Sequence, residues 1–323
     1  MRSRLIGAVA LAAHGLLAST AGAVQAPAPG ALSAQTLRLP DGPGSVRGLA
    51  ADPSVSVFSG QIGYEIPLEL PGARRELRPA LALAYRGDLG NGPLGVGWAI
   101  RQVAIRRSTR LGVPHFDATD ELLLVGLGEA GRLVPAGDGT LRVEGRGNDV
   151  KILVEGGGYR VIGPDGTQYR LGQSDASRQR DPSRIAAWLV DDMVDVLGQR
   201  VAFTYVQDGG QLYLSTATWG PGDCFRAVVE LVDRPDVTTS YRDGFPVTTA
   251  KRVAAIRVEA FAALARRYEL TYDDRFALSR LASVRMRGRD GVTSLPATRF
   301  RYVDTSQPQL AALTGIDAWR LNA

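Results

Sequence analysis

The sequence predicts a mainly β protein, an antiparallel meander of hairpins with little helix, on three observations. Apolar and polar residues alternate over residues 61–70, the period-two pattern of a strand with one buried face. Clusters of Gly, Pro, Asn and Asp separate the strand-like runs, as at residues 163–166 between the two arms of a hairpin. A unit of strand, polar turn and strand recurs in the second half of the chain.

Composition narrows the function classes. Hydrophobic residues make up 45% of the 323 residues and charged residues 22%, a globular balance that excludes a disordered or collagen-like chain. One cysteine (Cys224) and two histidines exclude a disulfide framework, a Cys/His zinc cluster and a multi-histidine metal site. The net charge is +5, and basic residues are scattered among Asp and Glu, so we expect no nucleic-acid partner.

The N-terminus has the three parts of a secretory signal peptide. A short basic stretch (residues 1–4) precedes an apolar run (5–19) and small residues that end at Ala23, with a second cleavage pattern ending at Ala26. The apolar run is too short to span a membrane comfortably and no later stretch is long enough, so we expect a secreted protein without a transmembrane segment.

The organisation expected from these patterns has four parts. Residues 1–23 form the signal peptide and residues 24–44 a Pro/Ala/Gly-rich linker. Residues 45–305 form the β domain, with the recurring hairpins from about residue 185. Residues 306–323 form a C-terminal tail or a continuation that is cut short.

The first part of the β domain contains two predicted strands and a glycine-rich motif. In the first strand Pro67 has no backbone donor and indicates a free edge, and a change of parity upstream predicts a bulge at residues 58–60. Residues 80–85 alternate Ala with larger apolar residues, so both faces of the second strand should be covered. Gly95 and Gly97 beside Trp98 indicate backbone packed closely beneath the indole ring.

The recurring unit begins at residues 201–205 and continues at residues 214–217, nine residues after Tyr205. Residues 268–272 and 281–284 repeat it with the same spacing after Tyr272, and residues 298–302 start a third copy. Stacked hairpins of this kind form a continuous sheet in which each unit covers its neighbour. Residues 255–267 fit a short helix by composition and a strand by their β-branched residues, and both readings stay open.

Three blocks of sequence resemble the N-terminal domain of the Salmonella plasmid virulence protein B (SpvB) family, which is shared with the B subunits of insecticidal toxin complexes. They are residues 44–48 with 59–67, residues 79–85 with the motif NGPLGVGW at 91–98, and residues 105–109 with 112–114 and 120–126. The motif at 91–98 is the most specific. The recurring hairpins also resemble Rhs/YD repeats, and the chain departs from the family pattern at Arg86-Gly87-Asp88, where a Ser/Gly turn is usual.

The resemblance implies part of an Rhs/toxin-complex β shell, a hollow wall around a toxic cargo. It implies partners that are other shell polypeptides, of the Rhs or toxin-complex C type, and host cytoplasm as a destination. The alternative is a stand-alone extracellular module that binds a cell surface or a partner protein.

Catalytic chemistry has little support in the sequence. Outside the signal peptide the one histidine is His115, which follows a proline in a predicted loop and is expected at the surface. ADP-ribosyl transfer, known in the family, would need a Glu-x-Glu pair, which the sequence lacks. Asp191, Asp192 and Asp195 are expected to be solvated strand-end carboxylates rather than a cation site. We therefore expect no enzyme activity, cofactor or metal.

The residues that we expect to matter are structural. They lie in the motif, in the strand before it and in the recurring hairpins: Tyr85, Asn91, Gly92, Pro93, Gly95, Gly97, Trp98, Trp188, Phe203, Tyr205, Leu270 and Tyr272. Arg86-Gly87-Asp88 is also the tripeptide that integrins recognise, but chance supplies it readily in a chain rich in Arg, Gly and Asp.

Overall fold

The computed structural model describes residues 54–55, 62–72, 75–128, 130–147 and 149–302. Strands dominate this part of the chain, and its two helical segments are single 3-10 turns at Asp175–Ser177 and Pro221–Asp223. The predicted mainly β fold is therefore confirmed. The predicted signal peptide, the linker, the bulge at 58–60 and the tail at 306–323 lie outside the described residues. None of the described helical segments has the length and apolarity that a membrane crossing requires.

Six short strands open the described chain. They are β1 (Ser54–Val55), β2 (Ile62–Pro67), β3 (Ala82–Arg86), β4 (Asn91–Gly92), β5 (Gly95–Val96) and β6 (Trp98–Ile100). Antiparallel pairing in the order β1-β2-β3-β6 forms a small sheet, and β4 and β5 form a separate hairpin that carries the glycine-rich motif. As the alternation predicts, Ile66 and Leu68 are buried while Pro67 and Glu69 are exposed.

The next nine strands contain a closed antiparallel barrel. They are β7 (Ala104–Arg107), β8 (Leu122–Val125), β9 (Gly131–Pro135), β10 (Leu141–Val143), β11 (Lys151–Glu155), β12 (Gly158–Ile162), β13 (Gln168–Leu171), β14 (Arg178–Arg180) and β15 (Ile185–Val194). Strands β7 to β13 pair in chain order, and β15 closes the ring by pairing with both β13 and β7. Apolar side chains from these eight strands fill the interior, among them Ile105, Ile152 and Trp188.

The remaining strands form the meander that the recurring unit predicts. They are β16 (Arg200–Asp208), β17 (Gln211–Trp219), β18 (Phe225–Ser240), β19 (Val247–Ala260), β20 (Ala263–Asp273), β21 (Arg280–Arg287) and β22 (Thr298–Arg299). Each pairs antiparallel with the next, and β16 pairs with the C-terminal half of β15. Strand β15 thus belongs to the barrel and to the meander. Residues 255–267, where a helix remained possible, lie in β19, its tight turn and β20.

The largest core lies between the small sheet and one face of the meander. Ile66, Leu83 and Trp98 of the small sheet pack against meander residues such as Trp219 and Tyr268. Hydrogen bonds tie the layers at their ends: the Trp219 indole donates to the Pro71 carbonyl (2.9 Å), and Glu69 N–H donates to the Tyr268 hydroxyl (2.7 Å). The apolar face of the meander is therefore covered by the chain's own small sheet.

Candidate functional site at the glycine-rich motif

The motif at residues 91–98 is a tight hairpin seated on the meander. Leu94 at its tip is fully buried. The backbone is held at two points: Val253 N–H donates to the Pro93 carbonyl (2.9 Å), and Val96 N–H donates to the Ser279 carbonyl (3.0 Å). The hairpin is thus fixed to β19 and to the residue that precedes β21.

Glycine is required at positions 95 and 97 for space as well as for conformation. Both have positive φ, +83° and +80°, a region that other residues rarely adopt. A Cβ at Gly95 would lie 2.5 Å from the Ser279 carbonyl oxygen, and one at Gly97 would lie 2.5 Å from Cε2 of Tyr85. We expected the backbone at these glycines to pack beneath the Trp98 indole. The ring that lies against Gly97 is instead that of Tyr85, so the expected partner was wrong. The Trp98 ring lies beside it, 5.4 Å away between centroids.

Beneath the motif lies a buried network of four polar residues, which we call the polar lock: Asn91, Arg234, Asp236 and Ser279. The Arg234 side chain is fully buried, and that of Asp236 is 7% exposed. The guanidinium donates to both Asp236 oxygens (2.9 and 2.7 Å), to Asn91 Oδ1 (2.6 Å) and to the Gly92 carbonyl (3.0 Å). Asp236 also accepts from Asn91 Nδ2 (3.0 Å) and from the Ser279 backbone and hydroxyl (2.6 Å each).

A bulge in β18 brings the lock together. The pairs Asp233–Lys251 and Thr238–Thr249 leave residues 234–237 opposite Ala250 alone, so β18 leaves its register. This irregularity turns Arg234 and Asp236 toward the motif. Burial alone would raise the pKa of the Asp236 carboxyl, but the hydrogen bonds from Arg234, Ser279 and Asn91 outweigh it and hold the pKa well below its usual range.

Trp98 joins the small sheet to the residues that directly follow β22. Its Nε1–H donates to the Tyr302 hydroxyl (2.9 Å), which in turn donates to the Leu281 carbonyl (2.8 Å). The indole also packs on Tyr64 and Phe300, with centroids 6.2 and 4.7 Å away. Four aromatic neighbours from three parts of the chain thus surround Trp98, counting Tyr85.

The recurring tyrosines make the same bond in each copy of the unit. Each donates its hydroxyl to a backbone carbonyl of the preceding strand: Tyr205 to Val190 (2.8 Å), Tyr272 to Val253 (2.6 Å) and Tyr302 to Leu281 (2.8 Å). In the first two copies the register shifts immediately before the tyrosine. The periodicity seen in the sequence therefore corresponds to a repeated hydrogen bond from a tyrosine hydroxyl to a backbone carbonyl.

The other expected residues lie in or beside the two cores. Trp188 is inside the barrel, edge-on to Tyr159, and donates to the Gly157 carbonyl (3.1 Å). Phe203 is partly buried and contacts both the barrel core and the larger core, while Leu270 is buried in the latter. The structure brings the expected residues from Tyr85 to Trp98 together at the motif. Trp188 and Phe203 lie elsewhere, at the barrel core.

The face of the meander opposite the core carries alternating charges. Glu230 accepts from Arg257 and Arg267, Glu259 pairs with Arg257, and Glu269 pairs with Arg287 (2.7 Å). These residues span strands β18 to β21, so the ion pairs form a ladder across four strands. This face is polar where the other is apolar.

The carboxylates that the sequence analysis singled out behave differently from one another. Asp192, expected to be solvated, is buried and pairs with Arg170 and Arg200, so that expectation was wrong. The register with β13 shifts at Asp191, between the pairs made by Val190 and Asp192, and the two arginines cover the Asp192 carboxylate. Asp195 accepts backbone N–H groups of its own turn, and no metal-binding cluster of three His, Cys, Asp or Glu occurs among the described residues.

His115 and the tripeptide Arg86-Gly87-Asp88 lie at the surface. The His115 side chain is 77% exposed, and the nearby Asp120 instead accepts from Arg107 (2.7 Å). Arg86 and Asp88 form an exposed ion pair with each other (2.6 Å). Sequence reasoning missed Arg234, whose place beside a proline and an aspartate resembles a surface turn; only its position inside a long β run could have indicated burial.

The comparisons with known proteins agree with the resemblance found in the sequence. Residues 56–151 match the model of the SpvB family, Salmonella virulence plasmid 65kDa B protein. Mono(ADP-ribosyl)transferase SpvB from Salmonella choleraesuis and from Salmonella typhimurium is 31% identical over 45% of this chain and 30% of the relative. The chain thus spans about 30% of the length of these curated relatives.

Solved structures show the same fold. The N-terminal domain of the effector SpvB from Salmonella typhimurium strain LT2 matches with a TM-score of 0.60 and 23% identity, over 69% of this chain and 98% of that one. The TcdB2-TccC3 crystal structure matches with a TM-score of 0.69 and 22% identity, over 84% of this chain and 18% of that one. The resemblance to this N-terminal domain is therefore confirmed.

Proposed function

We propose that this chain, which resembles the N-terminal domain of the SpvB family, is a non-enzymatic structural module of a toxin-complex-like assembly. It would contribute β wall to a shell around a toxic cargo, together with polypeptides of the Rhs or toxin-complex C type. Export by the predicted signal peptide would place it outside the cell, with host cytoplasm as a later destination. The observation that carries the proposal is the meander from β15 to β22, eight strands in chain order built on a repeated Tyr-to-carbonyl bond.

The two faces of the meander suit a wall. The apolar face is covered by the small sheet, and the polar lock fastens the motif hairpin to the meander. The opposite face carries the Arg/Glu ladder, whose charged side chains can face water and whose ion pairs join neighbouring strands. A sheet with one sealed and one polar face can separate two compartments without exposing its core.

The non-enzymatic part of the proposal is supported by the buried charged side chains, which form ion pairs with other residues of the chain. Arg234 and Asp236 pair with each other and bind the motif, and Asp192 forms ion pairs with two arginines. All three side chains are also nearly inaccessible to solvent, which keeps them from contact with a dissolved substrate. The matched domain of the solved SpvB structure is likewise its N-terminal domain.

Co-expression tests the shell. The full chain would be produced with a polypeptide of the Rhs or toxin-complex C type, separated by size-exclusion chromatography and imaged by negative-stain electron microscopy. A hollow co-eluting particle is the expected result, and two separate monomers would contradict the proposal. Incubation of the purified chain with labelled NAD and actin tests the second part, because label transfer would show it to be an enzyme.

A stand-alone extracellular binding module is the second candidate. It is favoured by exposed apolar side chains on loops, such as Leu111 and Val113 between β7 and β8, and Tyr241 at the tip of the β18–β19 hairpin. The Arg184 guanidinium stacks on Phe245 and donates to the Gly244 carbonyl (2.6 Å), which fixes that tip against the barrel. Binding of the labelled monomer to intact cells, lost in Tyr241→Ser, would favour this function over the shell.

A further inference from the structure

The positive charge of the chain is concentrated at one edge of the meander. Residues 280–302, which contain β21, the turn that follows it and β22, hold six arginines and one acidic residue, Asp290. The whole chain has a net charge of +5, so basic and acidic residues balance in the rest of it. The excess charge of the protein therefore lies in the last two strands of the sheet and the residues that join and follow them.

Arg285 continues the Arg/Glu ladder on β21 without a carboxylate of its own. Val284 and Met286 on either side of it pack in the larger core, so its side chain lies on the polar face of the meander. The register places it opposite Glu269, but the Glu269 carboxylate pairs with Arg287 (2.7 Å). Arg285 therefore has no ion pair within the described part of the chain.

Arg299 and Arg301 extend this group of arginines to β22 and the residues after it. Phe300 between them packs on Trp98, with ring centroids 4.7 Å apart, so the two arginines point to the polar face. Both are exposed, and neither forms an ion pair with a residue that the structure describes. The register of β22 with β21 places Arg299 diagonal to Arg285. The polar face thus ends in three arginines that the described carboxylates leave unpaired.

The backbone beside these arginines faces an open edge. Strand β22 is the last in the order of the sheet, and among the described residues no strand pairs with its outer side. Phe300 N–H donates to the Ala282 carbonyl (2.9 Å), so the backbone groups of Arg299 and Arg301 point away from β21. An unpaired strand edge of this kind accepts a further strand through its N–H and C=O groups.

We propose that this edge binds an extended acidic segment of a partner polypeptide, which adds to β22 as an antiparallel strand. A carboxylate at every second position of that strand would lie on the polar face, opposite and diagonal to the three arginines. A polypeptide is favoured over nucleic acid or lipid because the arginines flank unpaired backbone groups, and only another strand pairs with those in register. The inference rests on the proposed wall function and names the edge at which a partner chain would extend the wall.

Fluorescence anisotropy of a labelled peptide that alternates Glu with Val, titrated with the full chain, tests the proposal. We expect binding that weakens as salt is added, and much weaker binding of a peptide that alternates Lys with Val. Two N-methylated peptides test the strand itself. A Glu opposite Arg299 would form a hydrogen-bonded pair with it, so methyl groups on the Glu amides should weaken binding about tenfold or more. Methyl groups on the Val amides, which would point away from β22, should weaken it much less.

Matched double variants locate the site. Arg299→Ala with Arg301→Ala should weaken peptide binding about three- to tenfold and leave the melting temperature unchanged, because both side chains are exposed. Arg106→Ala with Arg242→Ala is the control. It removes one exposed arginine from barrel strand β7 and one from the β18–β19 turn, both also without an ion pair among the described residues, and should bind as the parent does. Equal losses in the two double variants would overturn the proposal, since net charge alone would then explain the binding.

The remaining outcomes separate this inference from the wall function. Absence of peptide binding, equal binding of the two methylated peptides, or tighter binding of a single-stranded oligonucleotide than of the acidic peptide overturns it. A parent that forms the hollow particle with a shell polypeptide but binds no acidic peptide would overturn this inference alone. A parent that binds the peptide through Arg299 and Arg301 but forms no particle would uphold it and contradict the wall.

Discussion

The substitution Asp236→Asn tests whether the polar lock holds the motif. The two carboxylate oxygens of Asp236 accept five hydrogen bonds, from Arg234, Asn91 and Ser279. An amide presents its NH₂ group to some of these donors whichever way it is turned, and it leaves the fully buried Arg234 charge without a counterion. Removing one partner of a buried pair costs about 3–5 kcal/mol, and we expect a loss of that size.

Equilibrium unfolding in guanidinium chloride, followed by tryptophan fluorescence, measures this loss. Asp233→Asn is the matched control, three residues away on the same strand. Asp233 is 89% exposed, and its ion-pair partner in the described part of the chain is Lys251 (2.8 Å), so its replacement should leave the unfolding midpoint almost unchanged. If the two variants lost equal stability, or if Asp236→Asn lost less than about 1 kcal/mol, the lock would not be what fastens the motif.

The pH dependence of this effect has a definite sign. The pKa of Asp236 is lower in the folded protein than its ordinary value of 3.8, so its contribution is complete above that value and is lost as the pH falls toward the folded pKa. The stability difference between the parent and Asp236→Asn should therefore be constant from about pH 7 to 5 and shrink below about pH 4. A difference that grew in acid would contradict the assignment.

Three further substitutions test the motif and the recurring unit. Trp98→Ala should lower the free energy of unfolding by about 3–5 kcal/mol, because a buried aromatic leaves a large cavity; an unchanged denaturation midpoint would contradict this packing. Gly97→Ala should cost about 1–3 kcal/mol beyond backbone strain, since its Cβ meets the Tyr85 ring, as thermal melting can show. Tyr272→Phe should cost about 1–2 kcal/mol, measured by denaturant unfolding, because the Val253 carbonyl loses its donor.

Two controls isolate the contacts in question. Gly198→Ala tests a glycine with nearly the same positive φ as Gly97, +78°, where no atom beyond its chain neighbours lies within 4 Å of the added Cβ. If the two alanine variants melted alike, the contact with Tyr85 would not matter. Tyr241→Phe removes a hydroxyl from an exposed tyrosine and should leave stability unchanged, and a loss there equal to that of Tyr272→Phe would contradict the special role of the repeated bond.

The parts of the fold that sequence could predict are those with a local signature. The alternation at residues 62–70, the Pro-Asp-Gly turn before β13 and the spacing after Tyr205 each depend on neighbours in the chain, and the structure has all three. The barrel was not predicted, because its closure depends on β15 pairing with β7, some 80 residues upstream, for example Trp188 with Ile105. No period along the chain records such a pairing.

At the candidate site, too, the features with a local signature could be predicted from the sequence, and those that depend on remote residues could not. Gly95 and Gly97 could be recognised as positions that need glycine, because positive φ and close packing restrict the residue type. The ring above Gly97 could not be identified, since a cross-strand neighbour depends on register. Arg234 lies 143 residues from Asn91, and its role arises from a bulge that places unpaired residues opposite Ala250. Charged residues are seldom fully buried, and Arg234 is buried here because its partners, remote in sequence, pair with it.

The polar lock fixes the position of the motif hairpin on the meander more than it adds to the free energy of unfolding. Its members come from β4, β18 and the segment before β21, so only one placement of the motif hairpin satisfies them together. An apolar patch would accept neighbouring placements, whereas a buried charge penalises each of them. The double variant Arg234→Met with Asp236→Leu should therefore be more stable than Asp236→Asn, because no unpaired charge remains. Its Val96 amide, which donates to Ser279, should nevertheless exchange with deuterium faster than in the parent. Exchange at the parent's rate would show that packing around Leu94 suffices to align the motif.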